Sequence, residues 1–268
     1  MPVTKPETAG SQSLERGLAI LASFHSARPL LGVSDLSRKV GLSRSTTHRY
    51  VATLAALGYL QQDAETKKYR LGPRVLDLGF SAINSMELRH VSAPHLKALS
   101  DKTGRTVNMA VLDGTEIVYI ERCRAPDARE IDLNLHVGSR LPAYCTSMGK
   151  VLLAFLPASE LSALLDSVKL ARRGPNTITS KRALLKELEQ VRARGLAMNN
   201  EELAYGLRSI AVPVRSQTGD VVAAINLAVH RSLVSMDELS DDLARALVHT
   251  AGEIAAHIGF GQVTYGRR

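Results

Sequence analysis

The chain has 268 residues, 45% of them hydrophobic, 22% charged and only 4% aromatic, with no Trp and two cysteines. This fits two compact domains with cores of Leu, Val, Ile and Ala. It excludes a disulfide framework, and no apolar run reaches the roughly 18 residues of a membrane span. The net charge is +8, and residues 1–72 hold ten Lys/Arg against five Asp/Glu. A basic excess gathered at one end favours an anionic partner there, nucleic acid first.

The first residues, MPVTKPETAGSQS, lack the apolar core of a signal peptide and read as a disordered lead-in over 1–10, which predicts a cytoplasmic protein. Leu14, Leu18, Leu21 and Phe24, widened by Ile20, follow helical spacing, with Ser13 as the expected N-cap. HSARPLLG breaks that helix. Ser34 is expected to cap a short helix that Gly41 ends, and Ser43 to cap a second that Gly58 stops. YLQQDAETKKYRLG reads as two short strands around a polar turn at 63–66. Pro73 opens a predicted linker helix over 73–88.

The remainder predicts a second domain over 89–262 and a tail over 263–268. A helix is expected over 89–102. TVNMAVL and EIVYIERC flank Asp113-Gly114, a hairpin signal. IDLNLHV (131–137) alternates strictly and predicts a half-buried strand. Helices are expected over 146–155, 159–168 and 180–194. LRSIAVPVR and VVAAINLAVH read as strands joined at Gly219-Asp220, and Ser235 with Glu238 predicts a capping box for a closing helix of about 24 residues.

The run VSDLSRKVGLSRSTTHRYVATLAALGYL carries the first chemistry. Two helices meet at Gly41-Leu42-Ser43, where glycine permits a sharp turn and serine caps the second helix. Arg44, Ser45, His48 and Arg49 fall near that helix's N-terminus, opposite the Val51 and Leu54 stripe. This is the end that enters the major groove in helix-turn-helix proteins. Arg forks to guanine, and Ser, Thr or His reach base edges or phosphates. Thr46 and Thr47 add candidate contacts, although Thr47 also suits inward packing. Lys67, Lys68 and Arg70 sit on the predicted wing, where charges suit phosphate contacts that position without specifying sequence. The partner is therefore double-stranded operator DNA.

SQSLERGLAILASF, then DLSRKVGLSRSTTHRYVATLAALGYL, then YRLG, resembles the IclR family of bacterial transcriptional regulators. LPAYCTSMGKVLLAF, with its Gly149-Lys150 pair, and EELAYGLRSIAVPV extend the resemblance over about residues 11–262. It implies an α+β two-domain fold: a winged helix-turn-helix over 11–72, a linker helix, and a GAF-like α/β effector-binding domain. It also implies homodimers or dimers of dimers on palindromic operators, with a contact to RNA polymerase among the partners. YGLRSIAVPV looks most like the branch that responds to aromatic acids. This suggests control of a β-ketoadipate or protocatechuate type operon by a small aromatic carboxylate. The alternative is another carbon pathway, with glyoxylate, pyruvate or acetate chemistry.

The resemblance places Ser147 and Met148 of the effector pocket at a helix start, Asn199 before the signature strand, Leu207 and Ser209 on one face of it, and Asn226 and Ala228 on one face of the next. A helix start with free N–H groups favours a carboxylate, and Arg140 is a bidentate donor for one. Tyr144 and Tyr205 read as stacking walls or core, and Glu201 and Glu202 as a solvated face or arginine partners. An enzyme is the competing class, but no HExxH, GxSxG, P-loop or GxGxxG occurs. Only Cys145, before a helix start, suggests a reactive thiol. No metal or cofactor is expected. A purely architectural DNA binder has no use for so large a mixed α/β domain.

Overall fold

The computed structural model describes residues 11–25, 28–84, 87–125 and 133–258. The lead-in 1–10 and the tail 263–268 lie outside them. The chain divides into two units, Met1–Ser85 and Met86–Arg268.

In the first unit, α1 (Gln12–Leu21) is capped by Ser11, which accepts the Leu14 N–H, two residues before the expected Ser13. Its apolar stripe divides. Ile20 enters the core, and Phe24 joins it just beyond the helix, while Leu14 and Leu18 remain exposed. α2 (Val33–Val40) starts after Gly32, whose N–H is taken by the Asp35 carboxylate at 3.1 Å. Ser34 therefore lies inside this helix, because the acidic side chain three residues on satisfies the first orphan donor. Gly41 closes α2 in the left-handed region at φ 67°, which costs glycine little. Ser43 then caps α3 (Arg44–Ala56), accepting the Thr46 N–H at 3.1 Å. β1 (Leu60–Gln62) and β2 (Tyr69–Leu71) pair antiparallel, and Leu31 bridges to Tyr69. Ile20, Phe24, Leu31, Leu36, Val51, Leu60 and Tyr69 form the core. α4 (Arg74–Asn84) falls with this unit.

The second unit opens with α5 (Glu87–Thr103) and the hairpin β3 (Thr106–Asp113) and β4 (Glu116–Cys123). β5 (Arg140–Pro142), α6 (Ser147–Ala154), α7 (Ala158–Ser167) and α8 (Lys181–Arg194) follow. The unit ends with β6 (Ala197–Asn200), β7 (Leu207–Arg215), β8 (Val221–His230), α9 (Met236–Ser240) and α10 (Asp242–His257). The six strands form one sheet in the order β5-β4-β3-β8-β7-β6, every neighbour antiparallel.

Strand alternation assigns the two faces. Val107, Met109, Ile210, Val212, Ile225 and Leu227 pack with residues of α5 and α10. Ala110, Ala211 and Ala224 pack with residues of α6, α7 and α8. The small residues on the second face let α6 approach closely. A Cβ on Gly149 of α6 would stand 2.1 Å from the Ala143 carbonyl oxygen, so this position tolerates only glycine.

Two expectations fail here. Residues 133–136 form no strand: Asn134 is left-handed at φ 47° and Gly138 at φ 89°, and the His136 N–H turns to Ser139 Oγ. The chain bends where the alternation predicted extension, and residues 131 and 132 lie outside the described residues. The closing helix divides at Asp241 (ψ −83°) into α9 and α10, although Ser235 accepts the Glu238 N–H as expected. Among the described residues, no helix is long and apolar enough to cross a membrane.

Candidate functional site

On α3, Arg44, Ser45, His48 and Arg49 are exposed and Thr46 is half-buried. Arg44 and Arg49 make no ion pair among the described residues, whereas Arg38 and Lys39 of α2 are tied to Asp35 and the Ser23 carbonyl. The helix thus keeps its cations available along one face. Thr47 is a correction. It is 0% exposed and donates its hydroxyl to the Ser43 carbonyl at 2.9 Å, so it packs under the helix and cannot reach a groove. Lys67, Lys68 and Arg70 are exposed on the wing, and Arg70 donates to Gln61 Oε1. The turn before them is built on Asp63, which accepts the N–H and hydroxyl of Thr66, so its carboxyl lies below the usual range.

In the second unit a cavity of about 530 Å³, counting its mouth, opens on the α6 face of the sheet. Register brings its floor together. Arg122, Asn108 and Asn226 lie side by side across β4, β3 and β8, and Thr106, Ala228, Ser209 and Asn199 across β3, β8, β7 and β6. Ser147 closes one end at the start of α6, and Leu133, Leu135, Leu203, Leu207 and Tyr119 supply apolar walls. Of the expected pocket residues, Ser147, Asn199, Leu207, Ser209, Asn226 and Ala228 all line the cavity.

Met148 and Arg140 do not. Met148 is 0% exposed and belongs to the core under α6, because it sits one helical step past the lining Ser147. Arg140 stands on the edge strand β5, where it donates to Asp113 and Glu116 beside the hairpin turn. Those two hydrogen bonds raise its already high pKa further. The charged group in the described lining is Arg122, which sequence reasoning missed, together with Asn108. Their signal was a polar residue inside an otherwise apolar strand, visible in TVNMAVL and EIVYIERC.

Both domains match known families. Residues 13–64 match the IclR helix-turn-helix domain, and residues 80–256 match the C-terminal domain of bacterial transcriptional regulators of the IclR type. The chain belongs to the IclR family. Among its relatives, the Pca regulon regulatory protein of Pseudomonas putida is 37% identical over 249 residues, covering 93% of this chain and 84% of that one. The transcriptional regulator XynR of Escherichia coli K12 is 38% identical over 230 residues, covering 86% and 90%. Among solved structures, an IclR homologue of Microbacterium hydrocarbonoxydans complexed with 4-hydroxybenzoate has a TM-score of 0.78 at 27% identity, covering 91% of this chain and 98% of that one. This IclR chain is accordingly a DNA-binding transcriptional regulator with an effector-binding domain, and not an enzyme.

The Gly149-Lys150 pair of this IclR domain has a structural reason. Lys150 is 1% exposed, and its Nζ donates to Glu202 at 2.6 Å and Glu187 at 2.9 Å. Burial pushes the Glu202 carboxyl above its usual range, against the pull of Lys150. Glu202 is thus an internal partner and not a solvated face. Glu201, also buried, pairs with Arg231 and accepts the Gly206 N–H, which holds its carboxyl low. Asn199 ties this region to the pocket, donating to the Cys145 carbonyl and accepting the Glu202 N–H. Tyr144 is core, its hydroxyl on the Ala171 carbonyl, whereas Tyr205 is exposed beneath Arg231 and walls nothing. Burial pushes the Cys145 thiol up to about 12, which removes the thiolate a reactive cysteine needs at neutral pH.

Proposed function

We propose that this IclR-family regulator controls an operon for aromatic-compound breakdown, of the β-ketoadipate or protocatechuate type, in response to a small aromatic carboxylate bound in the second unit. The observation that carries the reading is Arg122 set beside a polar floor and beneath leucine walls. A guanidinium matches a carboxylate in a bidentate fork, and the walls suit a flat apolar ring. The name of the Pseudomonas relative and the 4-hydroxybenzoate held by the Microbacterium homologue support the same class.

On the DNA side, Arg44, Ser45, His48 and Arg49 read base edges with Thr46 beside them, and Lys67, Lys68 and Arg70 hold phosphates. The operator is palindromic and is bound by a dimer or a dimer of dimers, with RNA polymerase as a further partner. Leu14 and Leu18 of α1 and Leu76 and Leu78 of α4, all exposed, support self-association through the first unit.

Thermal shift of the full chain tests the effector. Protocatechuate or 4-hydroxybenzoate raises the melting temperature with concentration, by mass action on the folded state. A rise with glyoxylate or pyruvate, and none with any benzoate, overturns the aromatic reading in favour of another carbon pathway.

A further inference from the structure

The hydrogen bonds on the pocket floor run in one direction. Arg122 Nη1 donates to Asn108 Oδ1 at 2.7 Å, and Asn108 Nδ2 donates to Asn226 Oδ1 at 2.8 Å. Asn226 Nδ2 then donates to Ser147 Oγ at 3.5 Å, and Ser147 Oγ lies 2.7 Å from Ser209 Oγ. The direction follows from one chemical fact: a guanidinium has donors and no acceptor. Asn108 must therefore turn its oxygen to Arg122 and its NH2 to Asn226. That forces the Asn226 oxygen toward Asn108 and its NH2 toward Ser147. No hydrogen need be located to orient either amide.

The two serines close the count. They bring two hydroxyl hydrogens and use one between them. The Asn226 amide occupies a Ser147 lone pair, so the other hydrogen has no acceptor within the relay. Ser147 and Ser209 have no further hydrogen-bond partner among the described residues. Both line the cavity, and both are nearly fully buried. A buried hydroxyl hydrogen without an acceptor is costly, so the ligand is the natural place for that acceptor.

We propose that Arg122, Asn108, Asn226, Ser147 and Ser209 form a one-way relay that selects effectors bearing, besides a carboxylate, a second oxygen that accepts a hydrogen bond at the Ser147–Ser209 end. The ligand class is a carboxylate with a remote carbonyl, carboxylate or phenolate oxygen. Asn108 and Asn226 set specificity by positioning, because they fix the hydrogen the serines present. This rests on the reading that the cavity holds a carboxylate, and deepens it.

The test is calorimetric titration of the full chain with paired ligands of equal charge. 4-Formylbenzoate, whose substituent only accepts, binds about tenfold tighter than 4-aminobenzoate, whose substituent chiefly donates. In Asn108→Asp, the new carboxylate accepts from both Arg122 and a turned Asn226 amide. The Asn226 oxygen then faces Ser147, both hydroxyl hydrogens are consumed, and the order of the two benzoates inverts. Ser209→Ala serves if the aspartate variant does not fold: Asn226 still donates to Ser147 Oγ, the Ser147 hydrogen becomes the unmatched one, and 4-formylbenzoate stays the tighter ligand, whereas an inverted order overturns the relay. A second pair, 4-oxocyclohexanecarboxylate against cyclohexanecarboxylate, separates the two readings. If only this pair binds and the ketone is preferred, the relay stands and the aromatic assignment falls. If 4-aminobenzoate equals or exceeds 4-formylbenzoate in the unaltered protein, the relay is overturned while the aromatic pocket stands. Absence of binding by all four at millimolar concentration overturns both.

Discussion

Arg122 and Arg140 stand on adjacent strands and meet opposite fates. Arg140 lies at the sheet edge, within reach of two carboxylates that the β3–β4 hairpin supplies. Exposed pairs of this kind contribute little. Arg122 sits further in, against Asn108, at the cavity. Arg122→Met is therefore expected to weaken a benzoate effector by 10-fold or more, on the order of 1.5–3 kcal/mol for a charged hydrogen bond, while Arg140→Met leaves the dissociation constant unchanged. Equal losses in the two variants would contradict the assignment. The distinction was only partly legible in sequence: Arg122 lies inside the apolar run EIVYIERC, but the register that brings Asn108 opposite Arg122 and Asn226 is a property of three paired strands. The six pocket residues that were legible share one trait: each belongs to a motif of β7, β8, β6 or the α6 start that carries the family resemblance, and strand alternation adds only that the β7 pair and the β8 pair each share a face. Lys150 makes a second prediction at this scale. Lys150→Met leaves Glu202 without its partner, and breaking a buried pair costs about 3–5 kcal/mol. Glu202 already has its carboxyl raised by burial, so the folded state holds that proton more tightly than the unfolded state. Stability contributed by the proton is present below the unfolded pKa and is lost as pH rises through the raised folded value. The variant's deficit in urea denaturation therefore grows from pH 4 to pH 8, and a deficit independent of pH would show that packing, not charge, is the defect.

α3 and the wing divide their labour because a helix terminus and a hairpin tip meet DNA differently. Arg44, Ser45, His48 and Arg49 project from one helical face, whereas Lys67 and Lys68 project from a turn that Lys67 enters at φ 56°. Replacing both lysines by alanine is expected to lower the slope of log affinity against log salt by about 2, with operator preference unchanged. Arg49→Ala is expected to cost about 1–3 kcal/mol at the operator and far less on random DNA. Both are read by fluorescence anisotropy on operator and scrambled duplexes over a salt series. A wing variant that loses preference, or an Arg49 variant that loses only slope, would reverse the two roles. Most elements behind this division were readable, because caps such as Ser43 and stops such as Gly41 act within a few residues. The failures were of another kind. Periodicity reports which residues are apolar and not what covers them, so α1 carried one stripe in sequence and two fates in structure, with Ile20 inside and Leu18 outside. Alternation over 131–137 likewise carries no information about φ, and the left-handed Asn134 bends the chain within that run.

At the scale of the whole molecule, the basic excess lies in the unit that bears α3 and the cavity lies in the other. A regulator of this design is useful only if the two sites share a free energy. If a saturating effector changes operator affinity by some factor, saturating operator must change effector affinity by the same factor, whichever the sign of control. Typical couplings are about 1–3 kcal/mol, or roughly 5- to 150-fold. The measurement is a closed cycle on the full chain: operator affinity with and without 4-hydroxybenzoate, and 4-hydroxybenzoate affinity with and without operator, at one salt concentration. Fixing the salt matters, because the phosphate contribution alone moves affinity by orders of magnitude between 50 and 200 mM. Equal factors above about 5 are the expected outcome. A factor of one on both arms would mean that the cavity binds its ligand without governing DNA affinity, and effector control would then have to act on transcription after the operator is occupied. Unequal factors would mean that the two arms compare different assemblies. Repeating the cycle over a range of protein concentration would then separate the dimer from the dimer of dimers, since a change of assembly adds a concentration dependence that a coupling within one species lacks.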